Sequence, residues 1–174
     1  METLFDLDAR LSARLRVAEK PGKRRRLAII FGHSGDSWFW LLGLLLVAWL
    51  GGEGWRRLAF ALILGILLTA VVVLLIKFSV RRPRPEGEWG QVYRRADPHS
   101  FPSGHAARAL MLALVALGVA PAWLGWLLLA WAPLVGLARV ATGLHYVSDV
   151  LAGWVLGLLM GFVTLQAAGW IGLI

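Results

Sequence analysis

Ala138-Arg-Val-Ala-Thr-Gly-Leu-His-Tyr-Val-Ser-Asp149 sets an arginine, a histidine and an aspartate inside what is otherwise hydrocarbon. From Ser103 to Ile174 the only formally charged side chains are Arg108, Arg139 and Asp149. An ionisable group within a bilayer costs about 3 kcal/mol or more, so it persists where it is paired or lines a polar site. His145 and Asp149 stand four apart, one helical turn. In that geometry the carboxylate can take the proton of one ring nitrogen and aim the other outward, which prepares a histidine as base or nucleophile. Gly143 offers a break, so that Arg139 ends one helix and His145 begins the next. An Arg139–Asp149 pair stitching two membrane helices, with His145 packed beside it, accounts for the same residues equally well.

Apolar residues make up 59% of the 174 residues and the mean hydropathy is +0.70. A soluble domain holds roughly 45–50% apolar residues, so an integral membrane protein is expected, as a single domain over residues 1–174. Ten tryptophans suit interfacial belts. Without cysteine there is no disulfide, no thiolate nucleophile and no sulfur-ligated metal. The net charge of +8 is concentrated in one block (Arg10, Arg14, Arg16, Lys20, Lys23, Arg24, Arg25, Arg26) and in a second set from Lys77 to Arg108. Basic clusters flanking apolar spans point to a bilayer with anionic headgroups or to phosphate substrates, and no nucleic acid is expected. Residues 1–26 lack an apolar core long enough for a cleavable signal peptide. Oligomeric state is not legible.

Along the chain, Leu4, Leu7, Leu11 and Leu15 repeat at helical spacing, which predicts an amphipathic helix over residues 3–19, lying on the membrane surface within an interfacial segment 1–26. Pro21-Gly22 ends it. The membrane core, residues 27–174, begins with Leu27 to Asp36 dipping partway into the bilayer. His33 and Asp36 lie there, with Ser34 or Asp36 expected to cap the following helix. Spans follow over Ser37 to Leu50, Leu58 to Ile76 (after a Gly51–Gly54 turn), Ser103 to Ala120, Ala122 to Ala138 with a bend at Pro133, and His145 to Ile171. Arg81 to Phe101 reads as an ordered loop with a short helix. The fold class is therefore all-α: a polytopic transmembrane bundle of about five spans with an N-terminal interfacial helix. Five crossings bring the end of the second span, the start of the third, the end of the fourth and the start of the fifth to one membrane face, where the polar residues concentrate.

Lys77 and Arg84 are suited to phosphate oxygens, Arg84 being held extended between Pro83 and Pro85. As headgroup anchors they would look the same. In Pro102-Ser-Gly-His105, Ser103 is placed to cap the third span, Gly104 permits close backbone approach, and the free amides of a helix start favour an anion. His105 points at the same anion. Arg108, one turn on, suits a second phosphate or headgroup contact, or pairing with Asp97. His99 reads as solvated, and Arg94 and Arg95 as contacts to the membrane surface.

Lys77-x6-Arg84-Pro85, Pro102-Ser103-Gly104-His105 and Arg139-x5-His145-x3-Asp149, in that order, resemble the signature of the type 2 phosphatidic acid phosphatase and vanadium haloperoxidase superfamily. One departure is Ala138, where the third motif usually carries serine; another is five spans where many bacterial members have six. The resemblance implies a phosphatase in which His145 attacks phosphorus and becomes a phosphohistidine, Asp149 orients its ring, and His105 protonates the leaving oxygen. It implies that Lys77, Arg84, Ser103, the Gly104 amide and Arg139 hold the phosphoryl oxygens, with no metal and no cofactor. The expected substrate is a lipid phosphate: a polyprenyl diphosphate or other prenyl-linked phosphate first, with phosphatidylglycerol phosphate or phosphatidic acid as further options. A lipid phosphotransferase, and a non-catalytic transport or scaffold bundle, are the competing classes. The basic N-terminal block predicts a multi-pass protein of the cell's inner (plasma) membrane with the site on the cytoplasmic face.

Overall fold

The computed structural model describes residues 4–86 and 97–174, and these are helical apart from short connections. The helices are α1 (Leu4–Leu15), α2 (Lys23–Ser34), α3 (Ser37–Leu50), α4 (Glu53–Val80), α5 (Gly104–Val119), α6 (Ala122–Ala141) and α7 (Val147–Trp170). Three of them, α4, α6 and α7, are long and apolar enough to cross a membrane. The pair α2 and α3 passes the same test as one broken span, bent by 53°, and α5 is a shorter apolar helix. Of the loop from Arg81 to Phe101, residues 87–96, with Arg94 and Arg95, lie outside the described residues.

Helix α5 sits at the centre, packed against α4, α6 and α7. Its alanines (Ala106, Ala107, Ala109, Ala113, Ala116) are fully buried, and small side chains let neighbouring backbones approach. Across from it, Gly153, Gly157 and Gly161 recur every four residues on α7. A Cβ at Gly157 would stand 2.5 Å from the Ala107 carbonyl oxygen, so only glycine allows this contact. Leucine, valine and phenylalanine side chains cover the outside, as a bilayer requires.

Several boundaries differ from the sequence reading. Glu53 and Gly54 belong to the first turn of α4 rather than to a turn; Glu53 favours the helix start and Arg57 pairs with it one turn on. Pro133 lies inside a continuous α6. Helix α1 is amphipathic as expected, with Leu4, Leu7, Leu11 and Leu15 exposed, but it does not simply float at the interface. Its polar side is docked: Ser12 Oγ accepts from the Val147 amide (2.9 Å), Asp8 Oδ1 accepts from the Ser148 amide (3.1 Å), and the Ala18 amide donates to the Ala141 carbonyl. Two amides at the start of α7 are thus capped from another helix, where free amides would otherwise be left.

Candidate active site

The end of α4, the start of α5, the end of α6 and the approach to α7 meet at one end of the bundle around a cavity of about 510 Å³. Its lining includes Lys77, Arg84, Gly104, His105, Arg108, Arg139 and His145, together with Asp36 and Asp97. Lys77, Arg84, Arg139 and His145 are each at most 4% exposed. Ser103 and Asp149 stand immediately behind the lining, joined by a hydrogen bond from the Ser103 amide to the Asp149 carbonyl oxygen (2.9 Å). All eight residues singled out from the three motifs therefore lie in or against one cavity, and Arg108 lines it too.

The turn from α6 to α7 presents His145. Gly143 adopts φ +70°, a left-handed conformation that glycine takes without strain, and the amides of Leu144 and His145 both donate to the Arg139 carbonyl (3.1 and 3.3 Å). This folds His145 back beside Arg139. The histidine thus precedes α7 rather than beginning it, and Asp149 lies in its first turn, accepting from the Tyr146 amide (2.9 Å). His145 Nδ1 is 3.6 Å from Asp149 Oδ2, close but beyond a hydrogen bond. Its Nε2 faces Arg84 NH1 at 3.2 Å inside the cavity. A ring with its Nε2 lone pair toward the guanidinium makes that hydrogen bond and turns its Nδ1 proton toward the carboxylate without bonding to it.

The ion partner of Asp149 is not Arg139, as the helix-stitching alternative required, but Arg82, whose NH1 donates to Asp149 Oδ1 (2.8 Å) and to Ser148 Oγ (2.6 Å). Arg82 NH2 donates to Asp8 Oδ2 of α1 (2.7 Å), and its guanidinium lies 4.0 Å from the centre of the Tyr146 ring. Sequence reasoning passed over Arg82 and Asp8. The signal was arithmetic: a carboxylate as deeply buried as Asp149 needs a cation, and Arg82 lies within the first motif, two residues before Arg84.

Asp97 occupies the cationic cradle. Its Oδ2 accepts from Lys77 Nζ and from Arg84 NH2 (2.8 Å), and its carbonyl accepts from Arg84 Nε (2.8 Å). Arg84 NH1 also donates to the Leu144 carbonyl (2.9 Å), which fixes the fork rigidly. Asp97 does not pair with Arg108, whose Nε and NH2 both donate to the Gly35 carbonyl (3.0 and 2.5 Å). His99 is half-buried rather than solvated: its ring meets Phe78 edge-on and its carbonyl accepts from Lys77 Nζ (2.9 Å).

Ser103 caps α5 as expected, its Oγ accepting from the Ala106 amide at 3.5 Å. At the α2–α3 break neither expected cap forms. Ser34 Oγ donates to the Phe31 carbonyl, and Asp36, though at the cap position, makes no cap hydrogen bond. Its carboxylate is drawn into the cavity by two imidazoles, His105 Nε2 at 2.7 Å and His33 Nδ1 at 3.0 Å. Ala138, where the motif usually carries serine, is buried against Ala18, Ala28 and Phe31, so its methyl belongs to the seam between α2 and α6.

Burial, reinforced by the charges of Arg139 and Arg84, pushes His145 down to about 3 against the pull of Asp149, so the imidazole is neutral at physiological pH. Burial also lowers Arg84, opposed by Asp97. For Asp97 burial acts upward, but the hydrogen bond and charge of Lys77, then Arg84, carry the carboxyl below its ordinary value. The site therefore offers an uncharged imidazole nitrogen beside cations that tolerate incoming negative charge.

A polytopic helix bundle whose polar end gathers histidines and cations around a cavity roomy enough for a phosphorylated headgroup is the architecture of a membrane phosphatase. The family model of the PAP2 superfamily matches residues 56–172, and the chain belongs to that superfamily. An undecaprenyl-diphosphatase of Sulfolobus acidocaldarius is 28% identical over 145 residues, covering 80% of this chain and 68% of that protein. The crystal structure of LpxE from Aquifex aeolicus aligns with a TM-score of 0.72 at 25% identity, over 92% of this chain and 95% of that one. The first transmembrane PAP2 type phosphatidylglycerolphosphate phosphatase from Bacillus subtilis shares the fold, with a TM-score of 0.78 at 23% identity over 98% and 89% of the two chains.

Proposed function

We propose that this protein is a metal-independent lipid phosphate phosphatase working through a phosphohistidine at His145. The observation that carries this reading is the placement of His145 Nε2, which lies at the cavity lining and accepts from Arg84 NH1 at 3.2 Å, a donor that a bound phosphoryl group would draw away and so free the lone pair. A phosphoryl group seated against Lys77, Arg84 and Arg139 would lie next to that nitrogen, with Ser103 and the Gly104 amide completing the cradle. Nε2 attacks phosphorus in line, the P–O bond to the lipid breaks, and His105 delivers a proton to the departing oxygen. Water then attacks the phosphohistidine, giving its proton to His105 and returning Nε2 to its neutral state. Asp149, fixed by Arg82 and the Tyr146 amide, carries the ring orientation and balances the positive charge on it. Cations from the chain neutralise the phosphoryl oxygens, so no step calls for a metal.

The favoured substrate is a prenyl-linked diphosphate. Four cations line the cavity against two carboxylates, which suits a group carrying more charge than a monoester. The Sulfolobus acidocaldarius relative supports the same choice. Phosphatidic acid and phosphatidylglycerol phosphate fit the same chemistry with one phosphoryl group engaged. The protein is placed in the cell's inner membrane, with the cavity on the cytoplasmic side, because the basic segment from Arg10 to Arg26 shares its face.

The test is phosphate release by purified protein in detergent from farnesyl diphosphate and from dioctanoyl phosphatidic acid, with His145→Ala alongside. Loss of turnover by ~10³-fold or more is expected, together with an acid-labile, base-stable phosphoryl label on the quenched wild-type protein. Equal activity in both proteins overturns the assignment.

A further inference from the structure

The break between α2 and α3 is built rather than accidental. Trp40 Nε1 donates to the Ser34 carbonyl (2.9 Å), Trp131 Nε1 of α6 donates to Ser34 Oγ (2.9 Å), and the buried Arg108 guanidinium of α5 grips the Gly35 carbonyl with two nitrogens. A Cβ on Gly35 would fall 2.8 Å from Val135 Cγ1 and 3.3 Å from His105 Cδ2, so the backbone of the break lies against the imidazole itself. What this arrangement delivers is one carboxylate. Asp36 forgoes the helix cap its position offers and places Oδ1 2.7 Å from His105 Nε2 while His33 holds Oδ2 at 3.0 Å.

We propose that Asp36 is the positioning residue of His105, giving the site a second carboxylate–imidazole dyad opposite His145–Asp149. This rests on the role of His105 as the acid that protonates the leaving oxygen. With Nε2–H committed to Asp36, the ring presents Nδ1 to the substrate. As the P–O bond breaks, its electron pair goes to the lipid oxygen and Nδ1 gives that oxygen its proton; when water later attacks phosphorus, Nδ1 takes a proton back. The donor is the imidazolium: burial and the charges of Arg139 and Arg108 oppose a positive ring, and the hydrogen bond and charge of Asp36, which remains ionised throughout, together with the bound phosphoryl anion, keep the second proton on Nδ1. Arg108 acts through the same device, holding the Gly35 backbone so that the carboxylate cannot withdraw.

A leaving group that needs no proton separates this role from a structural one. The experiment measures kcat/KM, which reports only the steps up to departure of the leaving group, for wild type, Asp36→Asn and His105→Asn with dioctanoyl phosphatidic acid, whose alkoxide departs poorly, and with p-nitrophenyl phosphate, whose phenolate departs readily. Inhibition by inorganic phosphate is measured in each protein as a check on the cradle. Asp36→Asn is expected to lose ~10²-fold on the lipid and less than ~5-fold on the aryl ester, with phosphate inhibition retained. Equal losses on both substrates, or loss of phosphate inhibition, mean that Asp36 merely supports the fold and overturn the proposal. If His105→Asn shows the selective loss and Asp36→Asn does not, the proposal alone fails. If His105→Asn itself loses both activities equally, the acid role of His105 falls with it.

Discussion

Gly153 touches no substrate, yet replacing it with alanine should impair turnover. Its added Cβ would stand 2.6 Å from the Ser103 carbonyl oxygen and 3.1 Å from Ala106 Cβ. Ordinary C···O contacts are about 3.3 Å or longer, so α7 and the start of α5 must part by about 0.7 Å. Backbone cannot rotate aside as a side-chain tip can. The displaced segment carries Ser103 and His105, while α7 carries Asp149, joined to Ser103 through its amide. The distance that changes is therefore the one between the two halves of the site. A misplacement of about 1 Å can cost ~10²-fold in rate, so a loss of ~10- to 100-fold in kcat is expected for Gly153→Ala. Overpacking of ~1–3 kcal/mol, partly offset by the ~0.5–1 kcal/mol that alanine gains over glycine in a helix, should lower the Tm modestly. Gly169→Ala, on the same helix but with nothing within 4 Å of its Cβ, is the control and should keep kcat with an unchanged or slightly raised Tm. Phosphate release and thermal unfolding in detergent read the two quantities. Wild-type kcat in Gly153→Ala, or an equal loss in Gly169→Ala, would refute the packing argument.

Asp97→Asn removes the charge that fills the Lys77–Arg84 cradle and should tighten inhibition by inorganic phosphate by ~5- to 10-fold, as about 1 kcal/mol of repulsion is relieved; weaker inhibition would show that Asp97 is needed to shape the cradle. Asp8→Ala cuts the link from α1 through Arg82 to Asp149 and should lower kcat and stability together, the latter by ~1–3 kcal/mol on denaturation, whereas an unchanged kcat would make α1 a mere anchor. His145, at about 3 in the fold against an ordinary 6.5, cannot take up the proton that the unfolded chain gains. Its contribution to stability is therefore complete above pH 6.5 and is lost as pH falls toward 3. The Tm of wild type should drop more steeply than that of His145→Gln between pH 6.5 and 4.5, and parallel curves would contradict the shift. A reporter fused after Ile174 should appear on the outer side of the membrane; an inner location would reverse the assigned orientation.

The bundle and most of the site were legible in the sequence because both follow from local rules. Apolar runs of membrane length specify helices, and charged residues in such runs have to converge, so Arg139, His145 and Asp149 stood out by being expensive to bury. Lys77 and Arg84 stood out as cations suited to phosphate oxygens, Arg84 between two prolines, and Ser103 and His105 as a helix start suited to an anion. Gly143 marked the turn that folds His145 back on Arg139. What local rules leave open is which partner each charge takes. Asp149 had an arginine ten residues away and chose another sixty-seven residues away, because Arg82 is carried in by the loop after α4 and held by α1. Asp36 had a helix end to cap and serves His105 instead, because Arg108 and two tryptophans bend the chain at that point. Pairing of buried charges depends on distances between chain segments far apart in sequence, and those distances are set only when the helices pack. Spacing and hydropathy determined the elements and the residues worth suspecting; tertiary packing decided the partners, and with them which carboxylate serves which histidine.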